Sequence, residues 1–224
     1  MVPTEKTVAI FGGAFDPPTV AHAEVVRAVL DAKLADEVWI MPTFRHMYGK
    51  SMASFRDRLA MCDIFADHFN KKARISDVEE QLVKNNKEYQ GSTFELLLHL
   101  FANAPKNQYR AIIGLDNALD LHRWKYNDVI TKIARFIVVP RPGYTHDPAA
   151  WYMTEKDEFG NPLHHYLGMC QTHHVSSTDT RDILHKWDSP RTKVPETLTT
   201  MLDPKVLTYI VKHDLYQASK GATV

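Results

Sequence analysis

The stretch 9–22, AIFGGAFDPPTVAH, combines residue types that could hold a phosphate group. An apolar segment ends in Gly12 and Gly13, whose missing side chains allow close approach of a ligand and backbone conformations closed to other residues. Thr19 can cap a helix that carries His22 in its first turn, and the start of a helix attracts anions. The residues therefore fit a phosphate cradle with a histidine donor. A tight strand-to-helix turn with a surface histidine explains them as well.

A second stretch, 174–184, reads HVSSTDTRDIL. Ser176, Ser177 and Thr178 offer hydroxyl groups and backbone N–H donors at a predicted helix start, and Arg181 follows one turn on. A hydroxyl-rich helix start with an arginine suits a polyphosphate, because charge-assisted contacts of arginine with phosphate are strong. The alternative is an ordinary Ser/Thr cap.

Hydrophobic periodicity predicts the elements that position these two stretches. Apolar segments predict strands at 7–11, 37–41, 73–76, 109–116, 134–140 and 166–171, and helical patterns cover 19–34, 55–69, 92–102 and 203–213. The alternation predicts an α/β fold, a doubly wound parallel sheet with a small helical C-terminal region. We divide the chain into a core, 1–172, and a C-terminal region, 173–224, within one structural domain. Prolines and glycines in 141–165 predict an excursion over the surface.

Composition excludes several classes of function. The chain has 224 residues with 27 basic and 27 acidic side chains, which argues against a broad nucleic-acid surface. Apolar runs fall short of the roughly 20 residues of a membrane helix, and the N-terminus carries no secretory pattern. The first glycine turn lacks the GxGxxG of a dinucleotide-binding oxidoreductase. A homo-oligomer is left open.

The cysteines and paired histidines do not predict a metal site. Cys62 and Cys170 lie far apart and form no CxxC pair, which is typical of a reducing, cytoplasmic setting. Cys62 fits the apolar face of a predicted helix. Two adjacent histidine pairs occur, at 164–165 and 173–174, but neighbours on a strand point to opposite faces and rarely chelate one ion.

The two stretches together resemble the nucleotidyltransferase α/β-phosphodiesterase superfamily. GGAFDPPTVAH is similar to its GGxFDPxHxGH signature and SSTDTR to its SSTxxR signature. The segment 111–144, with Gly114, Asp116, Trp124 and a strand ending in Arg-Pro-Gly, resembles the nicotinate mononucleotide adenylyltransferases, as does the tail 202–216. This resemblance implies a Rossmann-like nucleotidyltransferase fold.

Two single positions and two segments depart from the family pattern. Thr19 stands where bacterial members usually have a first histidine, and Ala21 replaces the motif glycine. Residues 88–90, Glu-Tyr-Gln, replace Ser-Tyr-Thr, and PTFRHMYGK replaces a proline-rich phosphate loop. The last two bear on the mononucleotide, not on the reaction class.

The resemblance implies transfer of AMP from ATP to a pyridine mononucleotide, with release of pyrophosphate. It implies His22 and Arg181 as catalytic residues, His22 at the α-phosphate and Arg181 at the leaving β,γ-phosphates. Mg²⁺ would accompany ATP, held more by the nucleotide than by the protein. The implied ATP-binding residues are Gly12, Gly13, Ala14, Phe15, Thr19, His22, Gly114, Asp116, Ser176, Ser177, Thr178 and Arg181. The implied mononucleotide-binding residues are Trp124, His46, Lys50, Gln90 and Gly91.

Alternatives remain at this point. The mononucleotide could be the nicotinamide form instead of nicotinate mononucleotide. The chain could be another transferase of the superfamily, similar to phosphopantetheine adenylyltransferase, or a module that senses ATP without turnover. The resemblance implies a preference for nicotinate, whose carboxylate is recognised in that family by backbone N–H groups just before a helix. Here that helix is the one at 93–102, and its start favours a carboxylate provided that Glu88 faces solvent.

Overall fold

The computed structural model describes residues 6–44, 51–89, 91–168, 170, 175–188 and 192–217. Its strands are β1 (Thr7–Gly13), β2 (Glu37–Pro42), β3 (Ala73–Ile75), β4 (Gln108–Gly114), β5 (Arg135–Val139) and β6 (His165–Tyr166). They form a parallel sheet in the order β3-β2-β1-β4-β5-β6. The predicted doubly wound α/β fold is confirmed.

The helices cover both faces of this sheet and build the C-terminal region. They are α1 (Val20–Asp31), α2 (Phe55–Ala66), α3 (Val78–Asn85), α4 (Thr93–Asn103), α5 (Leu115–Leu119), α6 (Asn127–Ile133), α7 (Trp151–Thr154), α8 (Ser177–Lys186), α9 (Glu196–Met201) and α10 (Pro204–Lys212). Short 3-10 turns follow α2 at Asp67–Phe69 and α5 at Leu121–Arg123. Within the described ranges, no helix is long and apolar enough to cross a membrane.

The central strands are apolar on both faces because each face is covered by helices. In β1, Val8 and Ile10 point into one core cluster, while Ala9 points into the other. Cys62 is fully buried in the second cluster, as its helical spacing predicted. A third cluster joins Met61 of α2 to Leu184 of α8 and to the apolar side chains of α9 and α10. The C-terminal region is thereby packed onto the core.

The strands β1, β2, β3 and β5 lie within two residues of their predicted bounds, and the ends of β4 and β6 also differ from the prediction. β4 stops at Gly114, and Asp116 already belongs to the first turn of α5. β6 covers 165–166, whereas the prediction was 166–171, of which residues 169 and 171 lie outside the described part of the chain. The Cys170 N–H donates to the Leu167 carbonyl, a turn that follows the end of β6. Short edge strands of this kind limit pairing with other chains.

The segment 141–165 is only partly the surface excursion that its prolines and glycines predicted. Its first residues, 141–145, are exposed. Tyr152 of α7, however, is 1% exposed, and the Trp151 indole N–H donates to the Ala118 carbonyl at 3.1 Å. Trp151 also packs edge-on against Phe136 of β5. The middle of the segment therefore belongs to the core.

The burial of β5 predicts how much a substitution in this strand lowers the free energy of unfolding. Ile137 is fully buried, whereas Ile133 on α6 is 40% exposed. Ile137→Ala should lower the free energy of unfolding by about 2–5 kcal/mol, because it removes packed methylene groups and leaves a cavity. The matched change Ile133→Ala should stay within about 0.5 kcal/mol. Urea unfolding measures both, and equal losses would contradict the burial of β5.

Candidate active site

The order of the strands creates a crevice beside β1. From β1 the chain builds the sheet outward through β2 and β3, and it then returns to place β4 on the other side of β1. In open parallel sheets, ligands bind at this switch point, beyond the carboxyl ends of the strands. The loop 14–19 after β1 and the start of α5 after β4 border this crevice. Both predicted phosphate-binding stretches meet here.

Gly12 and Gly13 lie at the end of β1. The structural reason for having glycine at these positions differs in part from the predicted one. Neither Gly12 nor Gly13 has a positive φ, so no special backbone conformation requires them. A Cβ at Gly13 would lie 3.3 Å from the Phe15 ring, which is 1% exposed. A Cβ at Gly12 would meet no atom within 4 Å. Gly12 therefore leaves open space at the crevice, where a side chain would occupy the position of a ligand.

His22 has a defined orientation at the start of α1. Thr19 is the N-cap residue of this helix, and its backbone N–H donates to His22 Nδ1 at 3.0 Å. The Thr19 hydroxyl is hydrogen-bonded to the same nitrogen at 2.8 Å. The imidazole thus takes the part that Glu or Gln plays in a capping box. Because Nδ1 accepts, the proton of the neutral ring lies on Nε2, which can donate to a ligand.

The surroundings of His22 keep it neutral. Its ring packs against Phe11 and Phe15, with centroid distances of 5.9 and 4.9 Å. This burial, together with the positive charge of Arg141, lowers the pKa of His22 from 6.5 to about 4. In the free protein at neutral pH, His22 is therefore a neutral hydrogen-bond donor and not a cation.

The second motif forms the start of α8, and its hydroxyl groups contact the protein itself. Ser176 is the N-cap residue, and its Oγ accepts from the Asp179 N–H. The Ser177 hydroxyl donates to the Pro17 carbonyl at 2.8 Å, which ties α8 to the loop after β1. Thr178 Oγ1 accepts from Arg181 at 3.1 Å. What this helix start offers a ligand is its backbone N–H groups and the arginine.

Arg181 and the loop after β1 meet at Asp16. Arg181 Nη1 donates to the Asp16 carbonyl at 2.6 Å and lies 3.6 Å from its carboxylate oxygen Oδ2. His22 and Arg181, which the sequence separates by 159 positions, thus both contact the loop after β1, His22 at Thr19 and Arg181 at Asp16. This convergence was predicted from the two motifs.

Sequence reasoning did not assign roles to Asp16 or to the residues around it. Asp16 is 1% exposed, and its Oδ1 accepts from the Ala53 N–H at 3.0 Å and from the Tyr216 hydroxyl at 2.7 Å. Arg58, also 1% exposed, donates from Nη1 to the Ala14 carbonyl at 2.9 Å and from Nε to the Ala53 carbonyl. An arginine on the apolar face of a predicted helix was the available signal for this cluster.

Arg141 and Asp116 form the opposite wall of the crevice. Arg141 Nε lies 3.6 Å from Asp116 Oδ2, while Asp116 Oδ1 is buried and has no hydrogen-bond partner among the described residues. A Cβ at Gly114 would lie 2.3 Å from that Oδ1, which accounts for the glycine. An unpaired buried carboxylate oxygen is costly and is suited to accept from a ligand hydroxyl. Arg141, two residues beyond β5, was missed as a site residue.

The described part of the predicted mononucleotide subsite lies near the start of α4. Gly91 has φ +81° and precedes Ser92, whose side chain caps α4. Trp124 is partly buried, and its neighbour Tyr126 packs on Phe94 of α4 at a centroid distance of 4.7 Å. These contacts bring the segment with Trp124 beside the start of α4. His46, Lys50 and Gln90 lie outside the described residues.

Glu88, the residue that bears on the choice of mononucleotide, is exposed. Its backbone N–H donates to Asn86 Oδ1 in the turn before α4. The expected solvent-facing position of this residue is therefore confirmed.

The described residues do not bring together three or more His, Cys, Asp or Glu side chains that could hold a metal ion. The buried His164 instead accepts from the Phe136 N–H through Nδ1 and contacts Glu155 through Nε2. Asp16, the carboxylate nearest to Arg181, has its Oδ1 filled by two donors.

Comparisons with known proteins agree with the fold and the site described above. A cytidylyltransferase-like family model matches residues 10–183. A probable nicotinate-nucleotide adenylyltransferase of Anaeromyxobacter sp. (strain K) is 31% identical over 212 residues, which cover 95% of this chain and 97% of the relative. One of Myxococcus xanthus is 32% identical over 209 residues, which cover 93% and 94%.

A solved structure shares the fold. The Plasmodium falciparum nicotinic acid mononucleotide adenylyltransferase complexed with NaAD superposes with a TM-score of 0.75 at 21% identity and covers 95% of this chain and 98% of that one. The resemblance seen in the two motifs thus extends over nearly the whole chain, which belongs to the nicotinate-nucleotide adenylyltransferase family, within the cytidylyltransferase-like proteins.

Proposed function

We propose that this enzyme transfers AMP from ATP to nicotinate mononucleotide and forms the deamido-NAD dinucleotide and pyrophosphate. The observation that carries the proposal is the convergence of His22 and Arg181 on the loop after β1. The relatives' names support the same reaction. We propose that the reaction belongs to NAD biosynthesis in the cytoplasm, a setting that agrees with two buried, free cysteines.

The reaction needs no general base. A phosphate monoester is mostly a dianion at pH 7, since its second pKa is about 6. One of its oxygens attacks the α-phosphorus of ATP, the new O–P bond forms, and the bond from that phosphorus to the bridging oxygen breaks. The electron pair leaves with pyrophosphate. Catalysis then consists of positioning the reactants and stabilising negative charge.

His22 is suited to the charge that develops on the α-phosphate. The Thr19 N–H fixes the ring and leaves the proton on Nε2, so that a donor is in place before ATP arrives. Preorganised donors of this kind stabilise a transition state without reorganisation during the reaction. Gly12, Gly13 and the backbone of Ala14 and Phe15 would line the same phosphates.

Arg181 is suited to the leaving β,γ-phosphates. Its guanidinium lies beside the start of α8, where the N–H groups of 176–178 add positive potential. Mg·ATP brings its own ion, which screens the triphosphate. Asp116, with its unpaired buried oxygen, would accept from a ribose hydroxyl.

The nicotinate ring would lie between Trp124 and the start of α4. The ring faces of Trp124 and of a pyridine can stack, by analogy with base–aromatic pairs worth about 1–3 kcal/mol. The carboxylate would meet the backbone around Gly91, together with Gln90, while His46 and Lys50 are proposed for the phosphate. The exposed position of Glu88 removes the main objection to a carboxylate here.

Two other functions compete with this proposal. A phosphopantetheine-type transferase would use the same ATP site with a different acceptor, and an ATP-sensing module would bind without turnover. Mixing the purified protein with Mg·ATP and each acceptor, and then measuring pyrophosphate, separates the three. Pyrophosphate with a pyridine mononucleotide supports the proposal, and its absence rejects it.

The donor role of His22 predicts a selective loss of activity. His22→Ala should lower kcat about 10²–10³-fold, because one preorganised donor to the developing charge is lost. The control His185→Ala changes an exposed histidine near the end of α8 and should keep full activity. Steady-state rates of pyrophosphate release measure both. A His22→Ala variant with more than half of the activity would remove His22 from the mechanism.

The lowered pKa of His22 predicts how stability changes with pH. Between pH 6.5 and about 4 the unfolded chain binds a proton at His22 that the folded protein does not bind, so stability falls as pH falls through this window. From pH 7 to pH 5 the wild type should lose about 2 kcal/mol more than His22→Asn, which cannot titrate. Urea unfolding measures the difference in stability between the two proteins, and nitrogen NMR follows the protonation of the His22 ring. A pKa of His22 near 6.5 in the folded protein would contradict this prediction.

The choice of substrate is tested by competition. With equal concentrations of nicotinate and nicotinamide mononucleotide, the acid product should dominate, because a helix start favours a carboxylate over a neutral amide by roughly 0.3–2 kcal/mol. Mass spectrometry distinguishes the products. Glu88→Ser should change the ratio little, since Glu88 is exposed. A clear excess of the amide product would refute nicotinate as the preferred substrate.

A further inference from the structure

The loop after β1 is held at Asp16 by groups from three distant parts of the chain. Oδ1 accepts two hydrogen bonds, from the Ala53 N–H at 3.0 Å and from the Tyr216 hydroxyl at 2.7 Å. Oδ2 lies 3.6 Å from Arg181 Nη1 and has no hydrogen-bond partner within the described ranges. The donors at Oδ1 therefore leave Oδ2 turned toward Arg181.

Tyr216 reaches this loop from the C-terminal end of the chain, 200 positions away. Two residues there, Asp214 and Tyr216, have φ of 51° and 61°, a region that residues other than glycine seldom adopt. Such backbone persists only where its surroundings fix it. The backbone after α10 therefore forms a fixed bend, and this bend brings the ring of Tyr216 to Asp16.

Tyr216 and Arg181 rest on the same apolar support. The third core cluster contains Leu184, one turn beyond Arg181 on α8, and Ile210 on α10, and Tyr216 packs against it. Burial, followed by the nearby Asp16 carboxylate, raises the pKa of Tyr216, so its hydroxyl remains a neutral donor. The tyrosine and the arginine therefore approach the carboxylate from one rigid unit.

We propose that Tyr216 is a positioning residue for ATP: its hydroxyl orients the Asp16 carboxylate, which in turn orients the Arg181 guanidinium toward the β,γ-phosphates. Tyr216 acts through two other side chains and does not touch the substrate. The proposal rests on the proposed role of Arg181 at the triphosphate. It assigns to the C-terminal end a function in binding ATP beyond its contribution to the core.

The plain alternative is that Tyr216 only stabilises the fold. The chain offers a matched control in Tyr209 of α10, whose hydroxyl donates to Asp57 Oδ1 at 3.0 Å. Both tyrosines lie in the C-terminal segment and both bond a carboxylate, but Asp57 does not contact Arg181 or the loop after β1 in the described structure. Changing each tyrosine to phenylalanine removes one hydroxyl and keeps the ring.

The experiment compares Tyr216→Phe with Tyr209→Phe in the full chain. For Tyr216→Phe, we expect kcat/KM for Mg·ATP to fall about tenfold, as for loss of one hydrogen bond to a charged group, while KM for nicotinate mononucleotide stays within about twofold. Tyr209→Phe should leave both parameters within about twofold, whatever its effect on Tm.

A double-mutant cycle tests whether Tyr216 acts through Arg181. In an Arg181→Ala background, Tyr216→Phe should have no further effect on kcat/KM for Mg·ATP, because the group that it orients is gone. Equal losses in both backgrounds, equal losses for both substrates, or unchanged kinetics in Tyr216→Phe would each overturn the proposal. If Tyr216→Phe does not fold, Asp16→Asn should show the same ATP-selective loss, and an unselective loss would overturn it as well.

Calorimetry with Mg·ATP alone separates this proposal from the proposed function. Weaker binding of ATP by Tyr216→Phe, but not by Tyr209→Phe, supports the positioning role even if the acceptor is not nicotinate mononucleotide. Wild-type protein that binds Mg·ATP but forms no dinucleotide would refute the proposed function alone. Equal ATP affinity of both variants and the wild type would refute the positioning role alone.

Discussion

The carboxylate of Asp16 is buried in the loop that follows the central strand, and the candidate site depends on how that charge is paired. A buried carboxylate without partners is costly, because water no longer solvates it. Here a backbone N–H, a tyrosine hydroxyl and a guanidinium surround it. Each partner comes from a different segment, so satisfying one charge fixes the relative positions of the loop, the start of α2, α8 and the C-terminal end.

This pairing explains why the C-terminal region is packed so firmly on the core. The sheet alone places the end of β1, which carries Gly12, and the start of α1, which carries His22. Arg181 lies on α8, outside the sheet, and reaches the crevice only if α8 is held against α2 and α10. The third core cluster supplies that support through Met61, Leu184 and Ile210. Apolar packing at one side of the molecule thereby determines the geometry of a charged site at another.

The sequence predicted the sheet and the two catalytic candidates because both are local signals. Strands buried on two faces appear as short apolar runs, and His22 and Arg181 stand at fixed distances from glycines or hydroxyl residues. Helices α3 and α6 escaped prediction because they are short, with eight and seven residues, and a helical pattern is difficult to recognise over so few positions. The extent of β4 was overestimated because Leu115 is as apolar as the strand before it.

The roles of Asp16 and Tyr216 could not be read from local pattern. Their contact joins residues 200 positions apart, and nothing in the tail indicates which buried group its tyrosine meets. Asp16 lies within the first motif, but a carboxylate beside a proposed triphosphate site looks unfavourable until its partners are known. The reason for the two glycines also differs from the prediction, since neither has a positive φ, and a Cβ at Gly13 would crowd the Phe15 ring, whereas a Cβ at Gly12 would meet only open space.

The donors of Arg181 explain how a negative charge at Asp16 is compatible with a proposed polyphosphate site beside it. A guanidinium carries several N–H groups in a planar fork and accepts no hydrogen bond. Among the described residues, Nη1 bonds the Asp16 carbonyl and Nη2 bonds Thr178, and these two bonds use only part of the five N–H donors of the guanidinium. In its proposed role, Arg181 would bind phosphate oxygens without leaving Asp16, and its side chain would lose rotational freedom during folding and not during binding. A preordered arginine binds its ligand at a lower entropic cost than a mobile one, and for a reaction without a general base, such positioning is the principal contribution that the protein makes.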